Sequence, residues 1–104
     1  MFVTGITACP TGIAHTYMAQ EALQEECERR GFDCHIETQG SIGIENELTE
    51  EDLDASDMII LAVAIEIEEP ERFEDRDIYY ADVNKAISHP EQVIDEALAY
   101  YSLD

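Results

Sequence analysis

The chain has 104 residues, the length of one domain, and 45% of them are hydrophobic, enough to bury a core rather than persist as an acidic tail. Twenty-five Asp and Glu against five Lys and Arg leave a formal charge of −20. That charge excludes nucleic acid and anionic lipid surfaces as partners, because lysines and arginines are needed to displace the counterions of a phosphate backbone.

Two readings of the charge remain. The acids are scattered over helix faces and loops, and Lys85 is the single lysine. This pattern points to a halophilic protein in a salt-rich cytoplasm, where molar salt cuts the screening length to about 3 Å. A basic partner is the alternative. Low salt is then expected to weaken the fold or its docking. Met1-Phe2-Val3 has no basic flank or long apolar run, so no signal peptide is read and a cytoplasmic location is expected. The longest apolar run, Met58–Ile65, falls far short of the ~20 residues of a membrane span. The three cysteines are odd in number and unpatterned, so no disulfide framework is implied.

Phe2–Ala8 reads as a first strand, ending at Cys9-Pro10. From His15 the pattern is helical, with Met18, Ala19, Ala22, Leu23 and Cys27 on one face and Arg29-Arg30-Gly31 as the stop signal. Phe32, Cys34, Ile36 and Thr38 alternate with Asp33, His35 and Glu37, the pattern of a half-exposed edge strand. Residues 39–48 read as a loop with glycines at 40 and 43. Thr49 and Asp52 cap a short helix, Glu50–Ala55. Asp57–Ile65 is a continuous apolar strand, hence central. An acidic loop (66–76), a short strand (77–82), a helical segment (84–89) and a final helix from Pro90 follow. Val93, Ile94, Ala97, Leu98 and Tyr101 of that helix face inward. The expectation is one α/β domain over 1–104: a three-layer, doubly wound, mainly parallel four-stranded sheet of order 2-1-3-4, with helices on both faces.

Such sheets bind ligands beyond the carboxyl ends of their strands, at the switch point beside strand one, where "ACPTGIAHT" (8–16) falls. A short loop opening a helix aims backbone N–H groups into one concavity and adds about half a positive charge from the helix dipole. It forms an anion site without lysine or arginine. The same field favours a thiolate over a thiol of ordinary pKa, about 8.5. Thr11 and Thr16 supply hydroxyls, Gly12 permits close approach, and Pro10 fixes φ while removing one N–H. A nucleophile and a phosphate cradle at one spot spell phosphocysteine chemistry on Cys9. The plainer alternative is a buried loop cysteine beside an ordinary helix cap.

At this loop the chain also resembles a family. "ACPTGIAHTYMAQEAL" is similar to the phosphorylation-site loop of the fructose-specific enzyme IIB domain of the bacterial phosphotransferase system. "ETQGSIGIENELTEEDL" (37–53) resembles that family's next signature and "RF" (72–73) a later one, so the similarity covers residues 3–73 well and the rest loosely. The resemblance implies that Cys9 accepts a phosphoryl group from a phosphohistidine of the IIA component. Cys9 then passes it to a sugar held by the membrane IIC permease, fructose giving fructose 1-phosphate. Mannose-type or other hexoses stay open. Pro10, Thr11, Gly12, Ile13, Ala14, His15 and Thr16 would form the phosphate-binding loop. No metal or organic cofactor is implied. Where the family often carries Asp after the third strand, this chain has Ala64, followed by Ile65-Glu66.

A low-molecular-weight phosphotyrosine phosphatase is the sharpest rival, but its loop needs an arginine where this chain has His15. That arginine clamps the phosphoryl oxygens bidentately, and a histidine lacks the fork. The phosphatase's acid, an Asp usually before proline, is also missing; the chain has Glu69-Pro70 and His89-Pro90. A non-catalytic anion-binding module is the second rival, and it would not need Cys9. His15 could itself be the phosphorylated residue, though a loop-orienting role fits its place better. His35 reads as solvated and His89 as a helix-entry residue. Cys27 and Cys34 read as small core residues without the ligand spacing of a zinc site. Glu37, Gln39 and Ser41 end strand two beside the Cys9 loop, either as a rim that contacts phosphate or partner or as an ordinary turn. Tyr79, Tyr80, Tyr100 and Tyr101 read as packing residues.

Overall fold

A computed structural model describes residues 1–10 and 14–103. The chain runs β1 (Phe2–Ala8), α1 (Ala14–Arg30), β2 (Asp33–Gly40), β3 (Gly43–Glu45), α2 (Glu50–Ala55), β4 (Met58–Val63), a 3-10 turn (Pro70–Phe73), β5 (Tyr79–Ala81), α3 (Val83–Ser88) and α4 (Pro90–Tyr100). The α/β class and the mainly parallel sheet are as expected, and the four expected strands lie in the expected order; the difference is one added strand at the edge. Among the described residues the sheet has five strands in the order β3-β2-β1-β4-β5. The additional strand, β3, pairs antiparallel with the end of β2, Gly40 opposite Gly43 across a two-residue turn. β2 is therefore interior along its second half, and Ile36, Glu37, Thr38 and Gln39 are all buried.

The two faces of the sheet are covered unequally. Val3, Met58, Ile60 and Ala62 pack with Ala19, Leu23 and Cys27 of α1 and with the apolar faces of α3 and α4. Ile6, Ile59 and Leu61 pack on the other side against Leu48, Leu53 of α2 and Phe73 of the 3-10 turn, with Val63, Ile67 and Ile78 partly buried beside them. β4 lies between these layers, so a continuous apolar run suits it. At Gly5 the strands come so close that a Cβ would sit 2.3 Å from the Ile60 carbonyl oxygen.

Helix ends follow local chemistry. α1 closes in a Schellman motif: Gly31, at φ +79°, donates to the Glu28 carbonyl at 3.0 Å, and Phe32 donates to the Cys27 carbonyl at 2.8 Å. α2 opens in a reciprocal capping box between Thr49 and Asp52, at 3.1 and 2.9 Å.

The buried face of α1 departs from the hydrophobic pattern. Thr16, Ala19, Leu23, Glu26 and Cys27 are inward, whereas Met18 is half exposed. Glu26 is tolerated inside because Arg29 and Arg30 both bind its carboxylate. Arg30 also reaches Asp95 of α4 at 2.8 Å, joining the two helices. Tyr80 is exposed rather than packed, while Tyr79, Tyr100 and Tyr101 form tilted and edge-on ring contacts. His35 is held rather than freely solvated: its Nε2 lies 2.9 Å from the Asn46 carbonyl.

Candidate active site

β1 delivers Cys9 to the carboxyl end of the sheet, where the side chain is buried. Its Sγ lies 3.2 Å from Oγ1 of Thr16, in the first turn of α1. The Thr16 carbonyl accepts a hydrogen bond from the Thr7 hydroxyl at 2.9 Å. One threonine of the strand thus pins the helix start, and one threonine of the helix start meets the sulfur. The N-terminal amides of α1 are directed towards this end, as an anion site requires. Pro10, Ala14 and His15 are exposed. Thr11, Gly12 and Ile13, expected in the phosphate loop, lie outside the described residues.

Two neighbouring segments frame this strand end. From β4, the Ala64 amide donates to the Ala8 carbonyl at 2.9 Å. Ala64 therefore sits against the backbone that carries Cys9, and it brings no carboxylate there. On the other side, the Tyr17 hydroxyl donates to the Glu45 carboxylate and ties α1 to β3. Thr38, in register with Thr7 on the neighbouring strand, has a buried hydroxyl with no hydrogen-bond partner among the described residues.

The expected rim divides in two. Ser41 is exposed in the β2–β3 turn, but Glu37 and Gln39 are buried and face inward. Glu37 is fully enclosed and accepts from Arg72 Nη1 at 2.7 Å and Nη2 at 3.0 Å, from the Leu48 amide at 2.8 Å and from Gln39 at 2.7 Å. Gln39 then clasps Glu68, donating to its carbonyl at 3.2 Å and accepting from its amide at 2.7 Å. Glu37 and Gln39 are thus a structural bolt, not a rim: they fasten the end of β2 to the segment between β4 and the 3-10 turn. Arg72 was visible in the sequence only as part of a motif, because its partner is distant along the chain.

The remaining arginines are committed elsewhere: Arg29 and Arg30 to Glu26, and Arg76 to Glu50 and Asp54. No guanidinium is left to clamp a phosphoryl group at Cys9 as a phosphatase would. Cys27 is a core residue and Cys34 packs half-buried against it; the neighbouring Cys27 thiol and burial push the Cys34 pKa up. Among the described residues no group of three His, Cys, Asp or Glu side chains is placed to hold a metal ion.

The arrangement defines a sheet whose first strand presents a cysteine to a helix N-terminus, and comparison with known proteins places it in a family. Residues 4–96 match the family model described as PTS system, Lactose/Cellobiose specific IIB subunit. The PTS system fructose-like EIIB component 2 of Escherichia coli is 42% identical over 98 residues, covering 94% of this chain and 92% of the relative. A domain from the fructose-specific IIABC component of Borrelia burgdorferi superposes with a TM-score of 0.87 at 42% identity, covering 94% of this chain and 93% of that one. The PTS system fructose-specific EIIB'BC component of Vibrio cholerae is 39% identical over 93% of this chain, which spans only 17% of that longer protein. The chain belongs to the PTS IIB family, whose members are phosphoryl-carrying, phosphotransferase-type components of sugar transport and work with IIA and IIC partners.

Proposed function

We propose that this IIB protein carries phosphate on Cys9. The observation that carries the reading is the Cys9–Thr16 contact of 3.2 Å at the N-terminus of α1. The thiolate attacks the phosphorus of a IIA phosphohistidine in line; the S–P bond forms as the N–P bond breaks, and the imidazole leaves neutral after protonation. In the second step a sugar hydroxyl held by the IIC permease attacks. The O–P bond forms, the S–P bond breaks, and the hydroxyl proton is released. Amides of the loop and of the α1 start, with the Thr16 hydroxyl, stabilise the charge spread over the equatorial oxygens. No metal or organic cofactor takes part.

The whole of 1–104 acts as one IIB domain, with Pro10–Thr16 as its phosphate loop and His15 orienting it. The sugar is fructose, giving fructose 1-phosphate, a choice supported by the fructose-like relatives, although the family model is described for lactose and cellobiose. No helix among the described residues is long and apolar enough to cross a membrane. The protein is cytoplasmic on this reading and meets the membrane only through IIC. Absence of a charge-clamping arginine suits a carrier, since hydrolysis would waste the phosphoryl group.

The test is intact mass in high salt after incubation with a phosphorylated IIA donor. Wild type gains one phosphoryl group, Cys9→Ser gains none, and His15→Ala still gains one. Loss with His15→Ala alone, or no gain in wild type, overturns the reading.

A further inference from the structure

The thinly covered face of the sheet leaves an open groove of about 1120 Å³ between β4, β5 and the segment 64–78. Its lining is largely apolar, with Leu61, Val63, Ile67, Phe73 and Ile78 joined by Ile65, Tyr80 and Tyr100, the last three substantially exposed. Ala64, whose amide holds the Ala8 carbonyl next to Cys9, is one of its lining residues, so the groove reaches the active-site end of the sheet. Its volume corresponds to roughly two turns of α-helix and exceeds what a small ligand fills.

The groove is lined on one side by the carboxylates of Glu66, Glu74 and Asp77, and the same stretch of chain, 66–77, carries four further acids, Glu68, Glu69, Glu71 and Asp75. Of the two arginines in that stretch, Arg72 is enclosed against Glu37, and Arg76 lines the groove with its guanidinium already shared by Glu50 and Asp54. An apolar lining flanked by Glu66, Glu74 and Asp77, none of them in an ion pair among the described residues, selects an occupant with an apolar stripe and basic flanks. A second copy of this chain, itself at −20, is repelled.

We propose that this groove docks a lysine- or arginine-bearing amphipathic helix of a partner protein and so holds that partner beside Cys9. The inference rests on the carrier reading for the need of a partner at that end, but the groove is tested without any transfer step. The probe is a synthetic leucine–lysine peptide with a helical apolar stripe. Its controls are a permuted peptide of the same composition without the stripe and a leucine–glutamate version. Binding is followed through isoleucine methyl NMR signals in about 0.5 M salt, where long-range attraction is screened.

The striped lysine peptide is expected to shift Ile65, Ile67 and Ile78 and to bind at least tenfold more tightly than either control. Ile65→Asp with Tyr80→Ser, both at exposed positions, is expected to weaken binding at least tenfold with an unchanged melting temperature. Glu66→Lys with Glu74→Lys is expected to reverse the preference towards the glutamate peptide. Equal binding of the permuted peptide, shifts spread over the α1 and α4 faces, or indifference to both double variants overturns the proposal. Endpoint phosphorylation of Cys9, measured separately by mass, reports on the carrier reading whatever the peptide does.

Discussion

Glu37 and Arg72, 35 residues apart in the chain, meet in a bidentate pair of 2.7 and 3.0 Å with the carboxylate fully enclosed. Both motifs that follow the cysteine loop in the sequence converge on this contact. It fixes where β2 ends, seats Leu48 above the core through its amide, and anchors the segment that leads away from Ala64.

Breaking one side of such a pair leaves a buried charge uncompensated, which costs about 3–5 kcal/mol. Glu37→Gln and Arg72→Met are each expected to lower stability by that order. The double variant Glu37→Met/Arg72→Met is expected to lose much less than the sum, since neither charge is then stranded. Urea unfolding midpoints of the three variants decide it. Additive losses would mean that the two side chains act independently.

Gly5 has a different constraint. Any Cβ meets the Ile60 carbonyl oxygen at 2.3 Å, and backbone in the centre of a sheet has little room to give. Gly5→Ala is expected to cost about 1–3 kcal/mol, as overpacking does. Gly31 has open space around it but φ of +79°, so Gly31→Ala is strained by its backbone at roughly 1–2 kcal/mol. Thermal unfolding of both variants measures the two costs.

The β1–loop–α1 unit was legible because its signals are local: a β-branched run, Cys9-Pro10, then helical spacing closed by Arg29-Arg30-Gly31. The helix Glu50–Ala55 was legible for the same reason, through its capping box. β3 was hidden because three residues carry no periodicity, although Gly40 and Gly43 around a two-residue turn were its available trace. For Glu37 alternation predicts solvent, and only Arg72, from far along the chain, lets it be buried. For Met18 helical spacing predicts burial, but Glu26, neutralised by two arginines, takes a place in the buried stripe of α1 and Met18 lies outside it.

Glu26 makes that helix acid-sensitive. The Arg29 hydrogen bond, aided by Arg30 and opposed by burial, holds the Glu26 carboxyl at about 2, below its ordinary 4.5. A depressed carboxyl contributes stability that is fully present above the unfolded value and disappears as pH falls through the folded one. Glu26→Gln is therefore expected to be less stable than wild type at neutral pH. The difference shrinks between about pH 4.5 and about pH 2 and vanishes below that. Urea midpoints of both proteins across this range check it. A difference that grows on acidification contradicts the assignment.

Salt tests the meaning of the overall charge. All five cationic side chains, Arg29, Arg30, Arg72, Arg76 and Lys85, are already in ion pairs. Most of the 25 acids therefore repel one another with no counter-charge in reach. Raising salt from dilute buffer to the molar range is expected to raise the melting temperature by about 5 °C or more, roughly 1 kcal/mol for a domain of this size. A melting temperature indifferent to salt removes the halophilic reading and leaves the basic partner as the reason for the charge.

Thr16 separates holding the loop from assisting transfer. Its carbonyl is fixed by the Thr7 hydroxyl, while its own hydroxyl faces the Cys9 sulfur at 3.2 Å. Thr16→Val keeps the shape and the carbonyl contact and removes only the hydroxyl. Thr16→Ser keeps the hydroxyl and loses a methyl group. If the hydroxyl stabilises the phosphoryl group in transit, Thr16→Val slows phosphorylation of Cys9 by about 10²-fold, the cost of one lost donor at developing charge, and Thr16→Ser recovers most of the rate. Single-turnover transfer from a phosphorylated IIA donor, alongside thermal unfolding of each variant, distinguishes the roles. Equal slowing by both variants in step with lost stability would make Thr16 a packing residue, and the N-terminal amides of α1 alone would then serve the phosphate.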